Sequence, residues 1–113
     1  MNAGALEAVE AIVEGGGEAD DILRSVVEAI VEGGCAWAGI LFREAGELTL
    51  GPEAGRAAPE ARTRKPVLFQ GTIVAELAAD GCGDPLELAR VAALIAPHCL
   101  VGWDTGGVPW DAA

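Results

Sequence analysis

The sequence has 113 residues, a formal net charge of −11 and an apolar fraction of 51%. This length suits one domain with one hydrophobic core, and the acidic charge excludes nucleic acids and anionic membranes as partners, because both attract clustered Lys and Arg. The three cysteines, Cys35, Cys82 and Cys99, are odd in number and widely spaced, which predicts free thiols in a reducing compartment. The sequence shows neither a signal peptide nor a membrane-spanning run, so we expect a cytoplasmic protein.

Residues 1–32 are predicted to form two amphipathic helices. Their apolar residues recur at helical spacing, with glutamates on the opposite side of the first helix. The glycines at 15–17 end the first helix, and those at 33–34 end the second. Asp20 or Asp21 is expected to cap the second helix, whose wide apolar stripe is typical of a helix that packs on a sheet.

Residues 35–80 are predicted to form two β-hairpins. In the first, an apolar run at 37–42 returns through a short strand at 48–50. Residues 51–65 are rich in Gly, Pro, Ala and charge, so they are assigned to a loop. The second hairpin turns at residues 70–71, where a Gln-Gly pair separates two apolar runs.

A last helix is predicted over residues 84–101, with Asp84 as its cap. Pro97 predicts a kink, and residues 102–113 are expected to form an irregular tail that contains tryptophan. The order of elements predicts a single α+β domain over residues 1–113. We expect an antiparallel sheet of about four to five strands, with the N-terminal and C-terminal helices packed on one face.

Two stretches of the sequence resemble the GAF domain, a sensor module of bacterial signalling proteins. PVLFQGTIVAELAADG (Pro66–Gly81) is similar to the last strand pair of that family, and DPLELARVAALIAPHC (Asp84–Cys99) is similar to its closing helix. The resemblance implies a GAF-like regulatory module that binds a small ligand or a protein partner. It also implies a homodimer that forms through the terminal helices.

The segment between the two hairpins departs from the family's pattern. Only residues 51–65 stand where GAF domains have a longer segment that forms the lid and wall of the ligand pocket. We therefore expect a shallow groove and no cofactor such as haem or a bilin.

Basic residues cluster in this short segment, since four of the seven Lys and Arg residues lie within positions 56–65. They are predicted to bind a carboxylate or phosphate group of the ligand, beside two tryptophans at the groove. The alternatives are that these bases pair with the acidic helices, and that the tail tryptophans, Trp103 and Trp110, fold back on the domain or on a second subunit. The predicted ligand-binding residues are Arg56, Arg62, Arg64, Lys65, Trp37 and Trp103.

Two enzyme classes have partial signals in the sequence. Asp104-Thr105-Gly106 matches the aspartic protease tripeptide, but it follows a helix and leaves too few residues to build the site. A thiol-dependent reductase, similar to the free methionine sulfoxide reductases that share the GAF fold, would use Cys82 with Cys35 or Cys99 as its partner. No spacing of His and Cys predicts a metal site. We expect a non-catalytic module, with the reductase and a structural dimerisation module as alternatives.

Overall fold

A computed structural model describes residues 3–107 except Ala45 and Gly83, and it places the side chains of residues 4–99 with the same exceptions. Of the helices described, none is long and apolar enough to cross a membrane. The elements in chain order are α1 (Ala3–Gly15), α2 (Ala19–Glu32), β1 (Trp37–Glu44), β2 (Glu47–Gly55), a 3-10 turn (Pro59–Ala61), β3 (Arg62–Phe69), β4 (Thr72–Asp80) and α3 (Pro85–Gly107).

The strands form one antiparallel sheet in the order β2-β1-β4-β3. Each hairpin supplies one central strand and one edge strand. The edge strands β2 and β3 contain Pro52 and Pro66, which an edge tolerates because proline has no N–H to donate to a neighbouring strand. The helices pack on one face of this sheet, which confirms the predicted α+β class.

The core lies between the sheet and the helices α2 and α3. Ala38 and Ile40 of β1 pair with Ala79 and Leu77 of β4, and all four are fully buried. They meet the apolar stripes of the two helices, because residues that are directly opposite in register share one face of the sheet. α1 packs against α2 and α3 rather than against the sheet. Helix residues of this core include Leu23, Val26, Val27, Ile30, Leu88, Val91 and Ile95.

The loop predicted over residues 51–65 is shorter in the structure. β2 continues to Gly55 and β3 begins at Arg62, so residues 56–61 alone connect the two strands. β2 extends because its backbone pairs with β1 as far as Trp37 opposite Gly55, and an irregularity between Gly39 and Leu41 accommodates the Gly-Pro pair at 51–52. The composition of residues 51–55 indicated a loop, but their backbone pairing with β1 makes them part of a strand.

The helix boundaries differ from the prediction at two places. α2 begins with Glu18 as its N-cap residue and without a side-chain cap, instead of with Asp20 or Asp21. α3 runs through Pro97 to Gly107, so the irregular tail predicted from residue 102 is wrong for 102–107, and residues 108–113 lie outside the described part. Pro97 removes one backbone donor, and the remaining helix bonds and the packing of α3 on β3 and β4 maintain the helix.

Cys35 and Cys82 form a disulfide, so the prediction of free thiols is wrong for these two residues. The two cysteines are 47 residues apart in sequence but close in space, because the start of β1 lies beside the end of β4, where Trp37 pairs with Asp80. The α2–β1 connection, which contains Cys35, and the β4–α3 connection, which contains Cys82, therefore lie next to each other. Cys99 is a free, buried thiol, and burial raises its pKa to about 12.

Candidate functional site

The sheet has a second face, which points away from the helices and which we call the open face. Its residues alternate with the core residues and align in rows across the four strands. The first row, at the end where β1 begins, is the polar row: Gly55, Trp37, Asp80 and Arg62. The second row is Glu53, Gly39, Ala78 and Arg64, and the third is Leu50, Leu41, Glu76 and Pro66.

Asp80 is a carboxylate with no solvent exposure at the centre of the polar row. Arg62 donates to both of its oxygens, from Nε to Oδ1 at 2.8 Å and from Nη2 to Oδ2 at 2.9 Å. The backbone N–H of Ala58 donates to Oδ2 at 2.7 Å. The bonds from Arg62 are the largest cause that lowers the pKa of Asp80, although burial opposes them, and the same pairing raises the pKa of Arg62. The pair is therefore charged at neutral pH.

Trp37 fills the space beside this ion pair. Its side chain is 3% exposed, and its ring lies against Gly39, where a Cβ atom would contact the indole carbons. The guanidinium carbon of Arg62 lies 4.3 Å from the ring centroid, which is a cation–π contact. The indole Nε1 donates to Oε1 of Glu53 at 2.8 Å. One edge of the tryptophan thus meets a carboxylate while its face meets a cation.

The other predicted ligand residues are dispersed. Arg64 lies on the open face and donates to Glu76 at 3.2 Å in an exposed pair. Arg56 is exposed in the segment 56–61, and its backbone N–H donates to Ala36. Lys65 alternates to the other face and lines a groove of about 330 Å³ between β3 and α3. Trp103 is in α3, but its side chain lies outside the described part.

The structure thus brings Trp37, Arg62 and Arg64 to one face and separates Lys65 from them. Sequence analysis missed Asp80 and Glu53, which organise the polar row. Asp80 did leave a signal, because it is the charged end of an otherwise apolar strand segment, Leu77–Asp80.

Aliphatic side chains are exposed at the end of the open face where both hairpins turn. Of the five large hydrophobic residues that are exposed in the described chain, four lie here, and the fifth is Leu86 at the start of α3. Their exposed fractions run from 41% for Leu48 to 49% for Leu68. With the half-buried Leu41 they form what we call the apolar patch: Leu41, Leu48, Leu50, Leu68 and Ile73.

The candidate enzyme residues are placed as follows. The sulfur of Cys82 is bonded to Cys35 and is not a free thiol in this state. His98, the single histidine of the sequence, lies within α3. Among the described side chains, no group of three or more His, Cys, Asp or Glu residues is arranged to hold a metal ion.

Comparison with known proteins identifies the fold. No known family's sequence profile matches the chain, and no curated protein matches it as a relative. Among solved structures, the GAF domain of a phosphoenolpyruvate-protein phosphotransferase from Coxiella burnetii superposes with a TM-score of 0.75 at 11% identity, over 92% of this chain and 95% of that one. The GAF domain of the corresponding Acinetobacter protein gives 0.71 at 10% identity, over 96% and 98%. Free methionine-R-sulfoxide reductase from Neisseria meningitidis, solved with its substrate, gives 0.71 at 15% identity, over 89% of both chains.

These identities are too low to transfer an activity, but the coverage and scores establish that the chain has a GAF-like fold.

Proposed function

We propose that this chain is a non-catalytic regulatory module that binds an apolar segment of another protein on the apolar patch. The observation that carries the proposal is the concentration of exposed aliphatic side chains at one end of the open face, on the side of the sheet away from the core and its α-helices. Exposed apolar patches of this kind in soluble domains mark interaction surfaces, because burying them in a complex removes apolar area from water.

A protein segment fits this surface better than a small molecule does. Small-molecule sites enclose most of their ligand, whereas a single sheet face supplies one wall. At the polar row, Trp37 and Arg62 already occupy the space next to the sheet. A small anionic ligand would have to use Arg64 and Arg56, since Asp80 holds two nitrogens of Arg62.

The charges around the patch indicate the chemistry of the partner. Arg43 pairs with Leu48 in register, and the exposed ion pair of Arg64 with Glu76 borders Leu41. Exposed ion pairs contribute little stability, so a charged side chain of the partner, of either sign, can replace one member of the Arg64–Glu76 pair. We therefore expect aliphatic anchors flanked by mixed charge.

Selection of displayed random peptides on the immobilised protein tests the proposal. We expect enrichment of peptides with aliphatic anchors, and we expect a Leu50→Glu/Leu68→Glu variant to lose their binding at least about tenfold, because a buried charge without a partner costs more than 1.4 kcal/mol. The matched control is Leu86→Glu, which changes an exposed leucine outside the open face and should leave binding unchanged. Peptides that bind wild type and the double variant equally would refute the patch as the site.

A thiol-dependent reductase is the second candidate, and the Cys35–Cys82 disulfide is the observation that favours it. A reductase that attacks an oxidised substrate with one cysteine is left with such a bond to a second cysteine, and an external thiol must then reduce it to restore both thiols. The burial of Cys35 and the closeness of both cysteines to the polar row are also compatible with a regulatory bond. We therefore rank this candidate below the binding module.

A further inference from the structure

We propose that Cys35–Cys82 is a thiol–disulfide exchange site whose substrate is a thiol reductant of the glutathione class, and that its redox state sets the order of the polar row. The site goes beyond the binding function, and it stands whether or not the apolar patch binds a protein. The proposal is carried by the placement of the two cysteines, by their unequal exposure and by the groups between them.

The disulfide joins the two connections that bracket the polar row. Cys35 lies two residues before Trp37, and Cys82 lies two residues after Asp80. The N–H of Ala36 donates to the backbone oxygen of Asp80 at 2.8 Å. A Cβ atom on Gly81 would lie 3.3 Å from the Cβ of Ala36, so the two connections are in close contact. The cross-link therefore fixes the backbone from which the indole and the carboxylate project.

The two sulfurs differ in access. Cys35 is 4% exposed and belongs to the core, whereas Cys82 is partly exposed in a connection that begins with Gly81 at a positive φ of 80°. A thiolate from solution can therefore reach Cys82 more readily than Cys35. Cys99 does not compete, because burial keeps it as the neutral thiol at neutral pH.

The exchange balances as two successive displacements. A glutathione thiolate attacks the sulfur of Cys82, which forms a mixed disulfide and breaks the bond to Cys35, whose thiolate takes a proton from water. A second glutathione thiolate attacks the glutathione sulfur of the mixed disulfide and releases Cys82 as a thiol. Two electrons pass to the protein, and two glutathione molecules leave as one oxidised glutathione. The reverse steps restore the bond.

Reduction should increase the mobility of the side chains in the polar row, because their remaining contacts are non-covalent. Trp37 is held by Arg62, which in turn is held by Asp80, and Asp80 also accepts from Ala58. The contact of Trp37 with Arg62 needs the ends of β1 and β4 side by side, because Trp37 lies on β1 while the bonds to Asp80 attach Arg62 to β4. Without the disulfide these ends can separate locally, which admits water to the indole and to the buried carboxylate.

The test uses the full chain with Trp103→Phe and Trp110→Phe, which leaves Trp37 as the only tryptophan. The protein is equilibrated in buffers of varied reduced-to-oxidised glutathione ratio, and free thiols are trapped and counted by mass spectrometry. Acrylamide quenching of Trp37 fluorescence is measured on the same samples. We expect a reversible gain of two thiols in the folded protein, a parallel rise in quenching, and a thermal midpoint about 10 °C or more lower in the reduced form.

Two variants serve as controls. Cys99→Ala should keep the whole transition, and Cys82→Ser should show the quenching of the reduced protein at every glutathione ratio. If Cys82→Ser does not fold, reduced wild type supplies the same comparison. A disulfide that is reduced only after denaturation would refute the exchange site. Reduction without any change in Trp37 quenching would refute the link to the polar row. Neither measurement involves a binding partner, so failure of the proposed binding function is distinguished from failure of this site.

Discussion

Asp80 is the one charged side chain that is fully buried among the described residues. Burying a carboxylate costs several kcal/mol, and here two bonds from Arg62 and one from Ala58 offset that cost. Arg62 also stacks on the ring of Trp37, so its guanidinium contacts both the carboxylate and the indole. Removing either charge leaves the other without a partner beside an indole ring. Arg64 and Glu76 provide a contrast on the same face, because their pair is exposed.

We expect Asp80→Asn to lower the free energy of unfolding by about 3 kcal/mol, because it leaves Arg62 unpaired in a largely buried setting. Urea unfolding followed by circular dichroism measures the change. Glu76→Gln is the matched control on the same strand and should cost less than about 1 kcal/mol. Equal losses for the two variants would contradict the structural role assigned to Asp80.

The same residue predicts a pH dependence. The pKa of Asp80 is lower in the folded protein than in the unfolded chain, where it is about 3.9. The stability that its charge contributes is therefore fully present above pH 5 and is lost as the pH falls through the folded value. We expect the difference in unfolding free energy between wild type and Asp80→Asn to be constant from pH 7 to 5 and to shrink below about pH 4. A constant difference down to pH 3 would argue against the assignment.

The helix α1 is attached to the rest of the fold at a close contact with α2. Gly33, at the end of α2, has an ordinary backbone with φ of −80°. A Cβ atom added there would collide with the Cβ of Ala5 in α1. Space between the helices, and not backbone freedom, therefore requires glycine at this position.

We expect Gly33→Ala to destabilise the protein by about 1–3 kcal/mol through overpacking of the α1–α2 contact. Ala5→Gly in the same chain should recover part of that loss, since it removes the atom that collides. Gly15→Ala is the control, because nothing lies within 4 Å of a Cβ atom there. Urea unfolding of the three variants measures the coupling, and the absence of any recovery would show that the contact is not the cause.

Elements with local signals were the ones that sequence analysis predicted well. The glycines after α1 and α2 end both helices, residues 70–71 form the hairpin turn, and Asp84 accepts from the N–H groups of Leu86 and Glu87 as a cap. The extension of β2 to Gly55 and the Cys35–Cys82 bond were not predicted, because both arise from pairing with β1. For the same reason sequence analysis predicted Arg62 as a ligand-binding residue without including Asp80, its counterpart in register.

At the scale of the whole molecule, α1 is the surface that we propose for pairing two copies. It packs on α2 and α3 on the side of the molecule opposite the open face, so pairing there leaves the apolar patch accessible. Its exposed residues include Ala8 and Ala11, which permit close approach of a second helix. The net charge of −11 opposes association, so pairing should strengthen with added salt.

Sedimentation velocity at two salt concentrations tests this pairing. We expect wild type to sediment as a dimer, more completely at high salt, and Ala8→Glu/Ala11→Glu to sediment as a monomer. Ala93→Glu, at an exposed position of α3 beside β3, is the control and should remain a dimer. A wild-type monomer, or a dimer that tolerates charges on α1, would contradict the proposal.

The prolines in the two edge strands restrict how this molecule can assemble. Strand addition at either edge would need a complete row of backbone donors, and Pro52 and Pro66 each interrupt that row. Fibrils that grow by stacking sheets edge to edge are therefore disfavoured from the native state. The pairing that we propose for α1 differs from such growth, because a contact in which both copies use the same surface closes at two subunits.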